Sequence, residues 1–173
     1  MSTSPADQDS FETLVFAVER PALGLALMMV RDRSIAEELV QEAFARVWAS
    51  PNTPNEEAEF RRWIYRVITN LARDHLRRQT RFARLRLWLG AASDDRSDPI
   101  DRWIEDQNIA QNLRRLSPRE QLAVYLFYYE DRPSEQLDRY LGTKPGTGRK
   151  LLSRAMAKMR KHLAAEAAKE LTR

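Results

Sequence analysis

The sequence predicts an all-α fold: two small helical domains joined by a flexible acidic linker. Three observations predict it. Apolar residues recur at steps of three and four along most of the chain, and no run alternates with the period of a strand. Gly 5 and Pro 8 in 173 residues are too few for a turn-rich all-β chain. The apolar positions also fall into two sets, one on each side of Gly90. Each set is small, so each domain is expected to be a marginal bundle that a partner could stabilise.

The elements follow in order. Ser10 is placed to cap a first helix whose apolar side is Phe11, Leu14, Val15 and Val18. Pro21 is expected to bend or restart that helix before it runs to about Val30. Asp32 or Ser34 caps a second helix carrying Ile35, Leu39, Val40, Phe44 and Val47. Ser50–Glu59 is a loop punctuated by Pro51 and Pro54, and a long third helix runs from about Glu57 to Trp88. GAASDDRSDP (90–99) is the clearest linker. Helices are then expected over Ile100–Leu116, Ser117–Tyr129, Pro133–Leu141 and Gly146 to about Leu171. The domain boundaries read as 1–89, a linker 90–111, and 112–173.

Composition excludes several kinds of chemistry. With Cys 0 the chain has no disulfide, thiolate metal site or cysteine nucleophile, and His 2 leaves no His-rich metal site. His75 adjoins Asp74, but neighbours on a helix point in different directions. His162 has no obvious carboxylate partner in the sequence, and GTKPGTGRK (142–150) does not satisfy the phosphate-loop pattern GxxxxGK[ST]. No catalytic residue, metal or cofactor is therefore expected. The N-terminal MSTSPADQDS is polar and acidic, unlike a signal peptide, and the longest apolar run, Ala22–Val30, is short for a bilayer. A soluble cytoplasmic protein without membrane insertion is expected.

The charge, a net +4, is segregated. Residues 1–59 hold eleven acids and four bases; 60–88 hold nine arginines and one acid; 93–106 hold six acids and two bases; 144–161 hold seven bases and no acid. Two cationic blocks on one soluble chain suggest a polyanion such as nucleic acid, although solvated helix faces would give the same pattern. In Phe60–Arg81 the apolar stripe is Phe60, Ile64, Val67, Ile68, Leu71 and Leu76. Arg62, Arg66, Asn70, Arg73 and Arg77 form a second stripe at steps of three and four, suited to a phosphate backbone, with Asn70 placed for a base edge. Trp63 either completes the core or offers a stacking surface, and Tyr65 is expected to be exposed.

These residues carry a resemblance. Asp32, Ala36-Glu37, Leu39-Val40-Gln41-Glu42, Phe44, Val47-Trp48, Trp63-Ile64-Tyr65, Asn70-Leu71-Ala72, Asp74 and Leu76-Arg77-Arg78 closely resemble region 2 of bacterial sigma factors. The pattern is similar to that of the small extracytoplasmic-function group of the sigma-70 family. The resemblance implies that the second helix docks on core RNA polymerase, through Glu37, Glu38, Leu39, Gln41, Glu42 and Phe44. It implies that the basic helix, with Arg62, Tyr65, Arg66, Asn70, Arg73, Arg77 and Arg78, binds and helps open the minus-ten element of promoter DNA. The preceding loop, with Asn52, Thr53 and Asn55, corresponds to a segment that captures a flipped base in this group.

Leu113–Leu163 resembles region 4 of the same family, a helix-turn-helix that reads the minus-thirty-five element. Ser117 is a good N-cap with Pro118 at the first helical position, and Gly142 supplies the tight turn. The resemblance assigns Thr147, Arg149, Lys150, Ser153, Arg154 and Lys158 to DNA. Two positions depart from the pattern: Asp138 stands where the family usually has Ala, and Gly148 where it has Val. One explanation is compensation, with Gly148 leaving room for Asp138 and the carboxylate pairing with Arg139, Arg149 or Lys150. The other is weakened DNA reading, which keeps open a sigma-like decoy that only binds an anti-sigma factor. A stand-alone helix-turn-helix regulator would explain residues 113–163 but leave the acidic and basic helices without work. The resemblance favours a sigma factor with core RNA polymerase, promoter DNA and an anti-sigma factor as partners.

Overall fold

A computed structural model of the chain describes residues 5–88 and 107–170. These form helices α1 (Pro5–Val30), α2 (Arg33–Trp48), α3 (Glu57–Trp88), α4 (Gln107–Arg114), α5 (Pro118–Tyr128), α6 (Leu137–Leu141) and α7 (Thr147–Glu170), with no strand among the described residues. The linker 90–99 and the expected helix before Gln107 lie outside the described residues.

Helices α1, α2 and α3 pack against one another as a first unit; α4 to α7 form the second. Local chemistry sets the ends. Asp32 accepts from the Ile35 N–H at 2.9 Å and caps α2, while Arg31 turns the chain with a left-handed backbone (φ 58°). Ser117 caps α5 in a reciprocal capping box with Glu120, behind Pro118. Gly142 ends α6 in the left-handed region (φ 60°), a conformation that needs no Cβ.

Three expectations change. Helix α1 starts at Pro5, so Ser10 lies inside it rather than capping it. The helix also continues through Pro21. Proline lacks an N–H, which leaves the Ala17 carbonyl without its helical donor; Arg61 Nη2 from α3 donates to it at 3.4 Å. The helix expected over Pro133–Leu141 shortens to α6, its first four positions forming turns.

The core of the first unit is Val18, Ala22, Leu25, Ala36, Val47, Phe60, Ile64 and Ile68, all fully buried. Phe11, Trp48, Phe44 and Phe60 close one end with ring contacts of 4.6–6.3 Å. Ser10–Val30 is long and apolar enough to cross a membrane by length and composition, yet 44% of it is buried against the rest of the fold. The second unit is built on Leu116, Leu122, Leu126, Leu137, Leu152 and Ala155. The buried residues of both units form one cluster, so each small bundle covers apolar surface that the other would leave open.

Candidate nucleic-acid interface

Helix α3 presents two faces. Its buried face holds Phe60, Ile64, Ile68 and Leu71. Its polar face holds Arg62, Arg66, Asn70, Arg73 and Arg77, of which all but the half-buried Arg62 are exposed. Arg62 lies 3.8 Å from Glu59, and Arg73 lies 3.5 Å from Asp74. The neighbouring Arg78 donates from Nε to the Asp74 carbonyl. Arg62, Trp63, Arg66 and Asn70 line one wall of a cleft of about 510 Å³. The facing wall, with Arg119, Leu122 and Tyr140, comes from the second unit. Three guanidinium groups around an aromatic surface and an amide make a cationic cleft suited to phosphate and base contacts. Trp63 is partly buried against the core and also borders the cleft.

Tyr65 corrects an expectation. It is not exposed but fully buried. Its hydroxyl donates to Glu130, a residue of the second unit. Burial first, and then the Glu130 carboxylate, push this hydroxyl far above the ordinary tyrosine range, so it remains a donor. Arg61 sits beside it, 3.4 Å from Glu130 and 2.6 Å from Glu57. Burial opposes its charge, but Glu57, Tyr65 and Glu130 outweigh that and hold it firmly protonated. Sequence reasoning passed over Arg61. The available signal was Pro21, whose missing N–H required a donor from elsewhere.

The loop before α3 is held from within. The Thr53 hydroxyl lies between the carbonyls of Val47 and Ser50, while Asn52 and Asn55 are exposed. On α2, Glu38, Gln41 and Glu42 are exposed and Glu37 is half-buried. Glu37 pairs with Arg33 at 2.8 Å and Glu42 with Arg46 at 2.7 Å. Leu39 points into the core at 8% exposure, so it supports this face from beneath rather than forming its surface. Phe44 is half-buried and stacks on Phe60.

In the helix-turn-helix, Arg149, Lys150, Ser153 and Arg154 are exposed along α7, and Thr147 begins it. Arg149 lies 3.5 Å from Glu135. Lys158 keeps a 43% exposed side chain but donates to the buried Glu120 at 2.8 Å. Arg115 Nη1 donates to His162 Nδ1 at 2.8 Å. The Asp138 carboxylate pairs with none of the three bases considered for it. It accepts from the N–H groups of Gly146 and Gly148, each at 2.7 Å, and from the Thr143 hydroxyl at 2.8 Å. It thus caps the start of α7. The Gly148 amide bond, opposed by burial and aided by Thr143 and Gly146, holds the carboxyl below the ordinary aspartate range. A Cβ on Gly148 would stand 2.6 Å from Leu137 Cβ. The two departures are therefore coupled, through backbone and space rather than through side-chain charge.

Residues 14–82 match the family model for Sigma-70 region 2, and residues 106–159 match that for Sigma-70, region 4. The chain is 31% identical to the RNA polymerase sigma factor CarQ of Myxococcus xanthus, over 90% of each protein. It is 30% identical to the probable RNA polymerase sigma factor RfaY of Xanthomonas campestris, over 90% of this chain and 41% of that protein. It is 32% identical to the probable ECF RNA polymerase sigma factor SigI of Mycobacterium tuberculosis, over 78% of this chain and 49% of that protein. The chain thus spans less than half the length of these last two relatives.

Proposed function

The chain belongs to the sigma-70 family, in its extracytoplasmic-function group, and from that membership we propose that it directs promoter-specific transcription initiation. It acts in the cytoplasm as a subunit of RNA polymerase and carries no catalysis of its own. The polar face of α2, with Glu37, Glu38, Gln41 and Glu42 over Leu39 and Phe44, docks on the core enzyme. Arg62, Arg66, Asn70, Arg73, Arg77 and Arg78 of α3 bind and help open the minus-ten element, aided by Asn52 and Asn55. Thr147, Arg149, Lys150, Ser153 and Arg154 of α7 read the minus-thirty-five element. Tyr65 and Lys158 are occupied by Glu130 and Glu120 and join these contacts only if those bonds are exchanged. An anti-sigma factor is the expected inhibitory partner.

The observation that carries this reading is the stripe from Arg62 to Arg77, standing beside a separate acidic helix face. The decoy reading loses its motive, because Asp138 is satisfied where the two helices cross. The test is transcription from a promoter library by core polymerase with this chain as the sole added factor. Initiation at a defined promoter class is expected. Absence of both initiation and core binding would refute the proposal.

A further inference from the structure

The cleft beside α3 holds residues that the promoter contacts leave unused. Arg119, Leu122 and Tyr140 of the second unit face Arg62, Trp63 and Arg66 of the first. At about 510 Å³ the space falls within the range of about 300–1,000 Å³ usual for small-molecule sites. Its positive charge is largely uncompensated. Arg66 and Arg119 are exposed, and neither is ion-paired among the described residues. Arg62 stands 3.8 Å from Glu59, too far for a hydrogen bond, so its guanidinium keeps donors to spare. Thr69, only 8% exposed, lines the same cleft, and its hydroxyl finds no hydrogen-bond partner among the described residues. A buried hydroxyl in that state costs free energy that a ligand can recover.

We propose that this cleft is a site for one free nucleoside triphosphate, its phosphates held by Arg62, Arg66 and Arg119 and its base set against Trp63. Each part of the ligand answers a feature of the site. Three guanidinium forks match the charge and oxygen geometry of a polyphosphate. Trp63, with Leu122 and Tyr140 on the facing wall, offers aromatic and apolar surface that suits the flat face of a base and gives nothing to a bare phosphate chain. Glu59 is the only acid among the described lining residues; it repels phosphate but accepts from the hydroxyls of a ribose. Both units supply phosphate ligands, so the bound nucleotide stabilises the arrangement in which they are packed. Arg62 and Arg66 are shared with the promoter contacts, whereas Arg119 belongs to the cleft alone, and the proposal does not rest on the promoter reading.

The full chain is titrated by calorimetry with ATP, with adenosine and with inorganic triphosphate, each alone. ATP is expected to bind saturably, one per chain, and about tenfold or more tighter than either fragment. Arg119→Ala is expected to weaken ATP binding about tenfold, the loss of a charge-assisted contact. Arg66→Ala, at another exposed position, is expected to do the same and serves if Arg119→Ala does not fold. Arg77→Ala, exposed on the same helix but outside the cleft, is expected to change it by less than about twofold. Absence of saturable binding at millimolar ATP would overturn the site. Equal losses from Arg77→Ala and Arg119→Ala would show general attraction to a basic helix and overturn it as well. Inorganic triphosphate binding as tightly as ATP would overturn the nucleotide as its ligand. The titration contains neither DNA nor polymerase, so it judges the cleft whatever the promoter assay gives.

Discussion

Replacing Gly148 with valine sets two effects against each other. Helix propensity favours the change: glycine inside a helix costs up to about 1 kcal/mol relative to alanine, and valine recovers part of that. Space opposes it. The new Cβ would stand 2.6 Å from Leu137 Cβ and 3.1 Å from both the Asp138 nitrogen and the Leu137 carbonyl carbon. None of these atoms can swing away, because they are backbone or fixed to it. Relief requires α6 and α7 to separate, which also draws the Gly146 and Gly148 amides from Asp138. Overpacking of this kind costs about 1–3 kcal/mol, so space wins and a net loss of about 1–2 kcal/mol is expected. For a chain of this size that lowers Tm by roughly 2–8 °C in a thermal unfolding scan. Adding Asp138→Ala to the valine variant is expected to cost less than the two single losses combined, because the carboxylate has already lost its amides. A Tm that rises on Gly148→Val would show that the helices separate freely, and the coupling of the two positions would be wrong.

Other outcomes follow from the same geometry. Replacing Arg62, Arg66, Arg73 or Arg77 singly with alanine should weaken promoter complexes across sequences and reduce the slope of log affinity against log salt by about 1 each; four unchanged slopes would count against the stripe. Asp138 is depressed in the folded state, so its stabilisation is present above its ordinary pKa of about 3.9 and fades as pH falls through the lower folded value. Asp138→Asn should therefore flatten the acid limb of the stability profile, measured by Tm against pH. Ser117→Ala removes the α5 cap and should cost about 1 kcal/mol in denaturant unfolding; no change would mean the Glu120 half of the box suffices.

Sequence pattern was enough wherever structure is decided within a few residues. Asp32 and Ser117 are caps because a short oxygen-bearing side chain stands before an apolar periodic run, and both caps form. The arginine stripe needs only the helical period, and Arg66, Asn70, Arg73 and Arg77 emerge exposed as that period requires. Asp138 and Gly148 could be marked as unusual but not explained. The carboxylate is satisfied by main-chain N–H groups, and amides carry no residue-specific signal.

Tyr65 shows the limit most clearly. On its own helix it sits at the edge of the apolar stripe, where exposure is the natural inference. What buries it is Glu130, sixty-five positions later, and Tyr125 beside it. Their approach depends in turn on Gly24, which no periodicity distinguishes from any other helical glycine. Pro21 is the exception that could have been followed. A proline in mid-helix strips the Ala17 carbonyl of its donor, and a part-buried carbonyl in that state is well served by a side chain with N–H groups to spare. Arg61 is such a side chain; once it is fixed to Ala17, its remaining N–H groups seek carboxylates, Glu57 on its own helix and Glu130 from the other unit. The contact between the units thus grows from a vacancy that one proline opens in a single helix.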